Sequence, residues 1–342
     1  MYFRTPSPTS SSVPDTNCSS KADAQCQTKI DVIDVLLAEN ERLKEENLYL
    51  KGKLDYHSLH VETLSDMDLK ILTGFNKIQL ETIFSFLNFT EDADNSLSMK
   101  QKLYIFFVRL KTGLTEEILA VIFRSSQSSI SRIIVMMTEL IYNKVSNINI
   151  WPTKEQNKYY MPYLFQLNFP NCRIIVDSTE FEIQKPSDPK IQQLTFSNYK
   201  NRNTIKCLIG IVPSGAISLI SDTWGGAVSD RFFLKSNILE LLEPGDVVLA
   251  DRGFTVRKEL KAKGCKLYTP HFLKDKIQFN LVECKDNKKI SRHRVHVERA
   301  IVRIKNFKFF SHKINILSLH SISQLIYIIA FFSNFGNPLI KC

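Results

Sequence analysis

The sequence predicts an α/β domain with a mixed sheet flanked by helices, preceded by an all-α region and an N-terminal coiled coil. Three observations carry that prediction: leucines in heptad register early in the chain, a helical period from about Ser65 to Asn147, and a change to strand-like apolar runs after Asn171. A length of 342 residues leaves room for about two domains. A hydrophobic content of 44%, with 23 Phe and 11 Tyr, is enough for a real core.

Residues 1–28 are rich in Ser, Thr and Pro and poor in large apolar side chains, so they read as a disordered tail. They hold no apolar h-region and hence no secretory signal. Across 30–60, Leu36, Leu43 and Leu50 recur every seven residues, with Ile33, Asn40, Asn47 and Leu54 in the companion positions. Asparagine at position a favours a registered parallel pair, which predicts a homodimer; with about three heptads, a single solvated helix is the alternative.

The helical region, 65–148, is best defined in "SLSMKQKLYIFFVRLKTGLTEEILAVIFRSSQSSISRIIVMMTELIYNK". Ser98 caps a helix to Lys111, Gly113 ends it, Thr115 opens a short helix to Phe123, and "RSSQSS" turns into a third helix from about Gln127. Three helices with a tight turn before the last resemble a helix-turn-helix, whose final helix would offer Gln127, Ser128, Ser129, Ser131 and Arg132 to a groove or to phosphates. Any small helical bundle shares that bare pattern.

A second domain is expected over 171–337. "CRIIVDSTEFEI" reads as a buried strand ending at Asp177; "IKCLIGIV-PSG-AISLISD" gives a hairpin of Ile205–Val212 and Ala216–Ser221. A helix from Ser229 or Asp230 to Leu242 follows, then a strand Val247–Ala250 stopping at Asp251, a helix Thr255–Lys263, the strand "KLYTP" and a basic helix bearing Glu298. At 100° per residue, Glu298 shares a stripe with Val295, Ile301 and Val302, taken as inward-facing, while Arg299 and Arg303 project elsewhere. An inward carboxylate needs a cation. Two partners are open to it: Arg294, four residues earlier, or a metal ion shared with Asp177 and Asp251, since Mg²⁺ prefers oxygen ligands.

The formal net charge of +10 draws the chain towards polyanions. From Lys285 to Lys308 nine Lys or Arg (285, 288, 289, 292, 294, 299, 303, 305, 308) face two acids, a surface suited to phosphates. Lys200, Arg202 and Lys206 in "SNYKNRNTIK" are further candidates, as are Arg299 and Arg303. Seven cysteines stand singly with no zinc spacing, as expected of a reduced intracellular chain. The apolar stretch Ile322–Phe335 falls short of a bilayer span and reads as a core helix, so no membrane partner is expected.

The blocks "IIVDSTEFEIQKP", "TFSNYKNRNTIKCLIGIVPSGAISLIS", "WGGAVSDRFF", "LADRGF" and "HVERAIVRIKNF" resemble DDE-type transposases with an RNase H-like catalytic domain, in particular the PIF/Harbinger and IS5-related superfamily endonucleases. The resemblance implies a DNA endonuclease and strand transferase whose acidic triad falls on Asp177, Asp251 and Glu298. It implies two divalent ions, Mg²⁺ or Mn²⁺, with Asp177 bridging them, DNA ends and target as substrate, and a nuclear location. Some relatives carry a zinc-coordinating domain ahead of a coiled coil, and Cys18 and Cys26 lack the partners for one. End recognition is then expected from the helix-turn-helix or from a separate DNA-binding protein. A catalytically inactive, host-retained DNA-binding descendant and a dimeric coiled-coil adaptor are the alternatives.

Overall fold

The structure, a computed structural model, describes residues 19–55, 64–90, 97–229, 236–254, 256–273 and 277–340, with the backbone alone for 19–31 and 51–55. The chain divides into two units, Met1–His60 and Val61–Cys342.

The first unit is one helix, α1 (Ser19–Asp55). It starts ten residues inside the stretch read as a disordered tail; residues 1–18 lie outside those described. From Val32 to Leu50 every side chain is exposed, Leu36, Leu43 and Leu50 included, and Glu39 pairs with Arg42 at 2.9 Å one turn on.

The second unit opens with α2 (Asp66–Thr73) and α3 (Lys77–Leu87), then α4 (Met99–Thr112), α5 (Glu116–Ile122) and α6 (Gln127–Val145). The capping signals work as expected. The Ser98 side chain accepts from the Gln101 amide while the Gln101 side chain accepts from the Ser98 amide, and Gly113 closes α4 at φ 69°. A Cβ at Gly113 would lie 3.3 Å from the Lys308 backbone, so the turn needs glycine for room as well as for φ. Helices α5 and α6 meet at 107°, within the range of a helix-turn-helix. Short helices α7 (Lys154–Tyr159) and α8 (Tyr163–Asn168) lead into the sheet.

The sheet holds β1 (Cys172–Glu182), β2 (Phe196–Ser197), β3 (Arg202–Ile211), β4 (Ile217–Ile220), β5 (Trp224–Gly225), β6 (Val247–Leu249) and β7 (Lys266–Tyr268), with α9 (Pro189–Thr195), α10 (Ile238–Leu241) and α11 (Arg257–Ala262) between strands. The order β2-β3-β1-β6-β7, with β4 and β5 also on β3, makes it mixed: β1 is antiparallel to β3 and parallel to β6. Gly225 and Gly226 explain "WGGAVSD". A Cβ on either would fall 2.2 Å from Leu194 O or Thr204 Oγ1, so two glycines let β5 slide between α9 and β3. The expected helix before β6 is described only as α10, and Asp230, considered as its cap, lies outside the described residues.

Helix α12 (Leu281–Lys305) crosses β1 and β3, followed by α13 (Lys308–Ser311) and α14 (Ile322–Phe332). It begins four residues before the basic run that opens at Lys285, on an Asn280–Glu283 capping box. The stretch Ile316–Phe335 has the length and hydropathy of a membrane span, yet α14 is flanked by 3₁₀ turns and buries Leu325, Ile326, Ile328, Ile329 and Phe332 in the core. One apolar core joins α2–α6 to α12–α14 and one face of the sheet through Ile175, Phe181 and Ile209. A second, smaller core lies under Ile174, Val176 and Leu208 on the other face.

Candidate active site

The register of the parallel strands sets the site. Strand β6 pairs with β1 up to Ile175↔Leu249. Two residues further along each chain, on the same face, come Asp177 and Asp251. Asp177 does not end its strand as expected: β1 runs on to Glu182, paired with β3 through Asp177↔Ile209. It sits past the point where β6 has stopped. Asp251 follows β6 in a loop, its Oδ1 accepting from the Arg252 amide at 2.7 Å. The Arg252 guanidinium is turned to the Phe279 ring, 6.0 Å away, so the two neighbours form no ion pair.

Helix α12 supplies the third carboxylate and a cation. Its buried face is Ile290, His293, Arg294, Val297, Ala300, Ile301 and Ile304. Glu298 stands at the rim of that face, 54% exposed, and Val302 is exposed, which corrects the expectation of an inward stripe through Glu298 and Val302. Arg294 is the inward group. Its Nη1 lies 3.2 Å from Asp251 Oδ1 and its Nη2 3.8 Å from Glu298 Oε1, with 9% of the side chain exposed. Its Nε is buried without a hydrogen-bond partner. Sequence reasoning weighed Arg294 as the partner of Glu298 and missed its closer contact with Asp251, which comes from another element.

Asp177 completes the cluster. Its carboxyl is pushed up to about 6, first by burial and further by Asp251 and Glu298, against the Arg294 guanidinium and the Ser178 amide, which favour the charged form. Lys305, two turns past Glu298 along α12, donates to the Glu180 carbonyl at 2.9 Å, and its pKa is lowered, first by burial and then by Lys200, against Glu180 and Asp177.

The donor set suits a hard divalent cation: three carboxylates, two of them half-exposed, gathered where a cationic group already sits. Among the described residues no three His, Cys, Asp or Glu side chains stand in a geometry that holds a metal ion. Arg294 stands in for that charge.

The residues expected at DNA divide by their engagements. At the start of α6, Ser126 is the cap, accepting from the Ser129 amide; the hydroxyls of Ser128 and Ser129 lie 3.1 and 2.8 Å from its Oγ. Gln127 donates to Glu116 at 2.8 Å, Ser131 is half-buried, and Arg132 is exposed. Lys200 lies over the Tyr199 ring, and Arg202 pairs with Glu182 at 2.5 Å. Lys206 is held by the Val228 carbonyl and Glu180, facing inwards rather than to solvent. On α12 Arg299 is exposed, whereas Arg303 donates to the Asn337 carbonyl at 2.6 Å. His296, three residues before Arg299, is pushed down to about 4, first by burial and then by Arg299 and His293, so it carries no charge at neutral pH.

No curated protein matches the chain. Residues 176–334 match the family described as DDE superfamily endonuclease, and residues 95–147 match the family described as helix-turn-helix of DDE superfamily endonuclease. The first match opens one residue before Asp177 and takes in Asp251 and Glu298, the second covers α4–α6, and the mixed α/β architecture fits a DDE, RNase H-like domain. Together the two matches support a DDE superfamily endonuclease of the transposase type with its DNA-binding helix-turn-helix.

Proposed function

We propose that the protein is a DNA transposase of the PIF/Harbinger and IS5-related group, cutting and joining DNA strands with Asp177, Asp251 and Glu298 as its acidic triad. The observation that carries this reading is that Arg294 of α12 pairs with Asp251 and Glu298 beside Asp177, whose carboxyl feels the charge of all three. Divalent ions, Mg²⁺ or Mn²⁺, would be held by these three side chains; when bound they supply an activated water or 3′-hydroxyl and a counter-charge for the leaving oxygen.

The chain's own residues have distinct parts. Asp177, the most buried of the three, would hold such an ion from the sheet, and Asp251 and Glu298, both about half exposed, would complete its ligands from the solvent side. Arg132 at the exposed end of α6 and Arg299 on α12 hold phosphates and set position rather than sequence. Helix α1 pairs with a second copy through Ile33, Leu36, Leu43 and Leu50, an exposed stripe that a parallel helix of the same sequence would bury. A nuclear location follows from the DNA substrate, and a separate DNA-binding protein is a further partner consistent with so compact a helix-turn-helix.

The test is a plasmid-nicking assay in Mn²⁺ and in Mg²⁺. Asp177→Asn, Asp251→Asn and Glu298→Gln are each expected to nick at least about a hundredfold more slowly, which is roughly 2.7 kcal/mol of barrier. Wild-type rates in all three would end the catalytic reading and leave a DNA-binding descendant.

A further inference from the structure

Arg294 carries a charge that is wrong for a metal centre, and it is paired directly with two of the carboxylates. It bridges Asp251 and Glu298 from a buried position, and the pairing is imperfect: one contact is 3.2 Å, the other 3.8 Å, and its Nε has no partner. A divalent ion drawing on the same two carboxylates would meet a guanidinium at ion-pair distance, so the two cations exclude one another. Once displaced, a guanidinium so little exposed needs another anion, because a buried charge left without a partner is costly.

We infer that Arg294 is a resident counter-ion that competes with divalent metal for Asp251 and Glu298, and that a DNA phosphate draws it off, so that metal and DNA load the site together. This rests on the metal-dependent reading above and adds its regulation. Without DNA, Arg294 neutralises the outer carboxylates and keeps metal affinity low. With a phosphodiester beside the half-exposed Asp251 and Glu298, its planar fork exchanges two carboxylates for phosphate oxygens. Metal and DNA then raise each other's affinity by the same factor, as reciprocal linkage requires.

The experiment is a Mn²⁺ titration followed by electron paramagnetic resonance on the full chain, with and without a short duplex, taking Asp177→Asn as the baseline for ions bound elsewhere or on DNA. In the wild type the duplex is expected to tighten the Asp177-dependent Mn²⁺ by about tenfold or more. Arg294→Gln is expected to bind Mn²⁺ about tenfold more tightly without DNA and to lose most of the response to the duplex. A second, milder variant, Arg294→Lys, keeps the charge without the fork and should retain weak Mn²⁺ binding, so the inference stays testable if the glutamine variant folds poorly. Mn²⁺ affinity in Arg294→Gln that is unchanged or weaker, or a wild-type affinity indifferent to DNA, overturns the inference and leaves the metal site standing. Equal Mn²⁺ binding by wild type and Asp177→Asn overturns both.

Discussion

Asp177 shows how one residue's surroundings become a measurable property. Folded, it holds its proton up to about 6; its ordinary value is 3.8. Between those two values the native state binds the extra proton, so stability falls as pH rises from about 4 to about 6 and stays low above that. In metal-free buffer with chelator, Asp177→Asn removes a buried charge and is expected to be more stable than wild type at pH 7.5, by about 1–3 kcal/mol. The advantage should vanish near pH 4, where the native carboxyl is already neutral. Urea unfolding at the two pH values measures it, and a variant less stable than wild type at pH 7.5 would show that Arg294, not burial, dominates the carboxylate.

At the scale of elements, what was legible in the sequence is what local physics decides. Ser98, Gly113 and Thr115 gave the borders of α4 and α5 to within a residue, because caps and a left-handed glycine act over one turn. The start of α12 has an equally local signal, the Asn280–Glu283 box, which stands just ahead of the basic run. Asp177 and Asp251 could be named from the apolar runs that precede them, but their adjacency comes from parallel pairing, and the contact of Arg294 with Asp251 from packing; neither has a local signature. Two predictions belong here. Arg132→Ala, at the exposed end of α6, should weaken duplex binding evenly across sequences and lower the salt slope by about one, read by fluorescence anisotropy at several salt concentrations. Leu43→Lys in α1 should turn a dimer into a monomer in sedimentation equilibrium; an unchanged mass would assign α1 to another partner.

The largest scale is where the sequence was least informative. Two domains, 65–148 and 171–337, were expected from the change of period, yet the helices and the sheet share one core. Helix α14 is the reason: Phe332 meets Phe107 of α4 at 5.8 Å, and Tyr327 meets Tyr142 of α6 at 5.6 Å. Lys111 at the end of α4 donates to the Asn306 carbonyl just past α12, and the Arg109 guanidinium lies over the Phe309 ring of α13. The helix-turn-helix is thus held against the C-terminal end of α12 and against α13 and α14 without a linker. Phe332 is fully buried, so Phe332→Ala leaves a cavity costing about 3–5 kcal/mol. Because the core is common to both parts, that loss should appear equally in α4–α6 and in β1 and β3, as a matched rise in amide exchange by mass spectrometry. Faster exchange confined to α4–α6 would mean that the helix-turn-helix opens on its own, and any coupling between DNA reading and cleavage would have to be sought in the DNA instead.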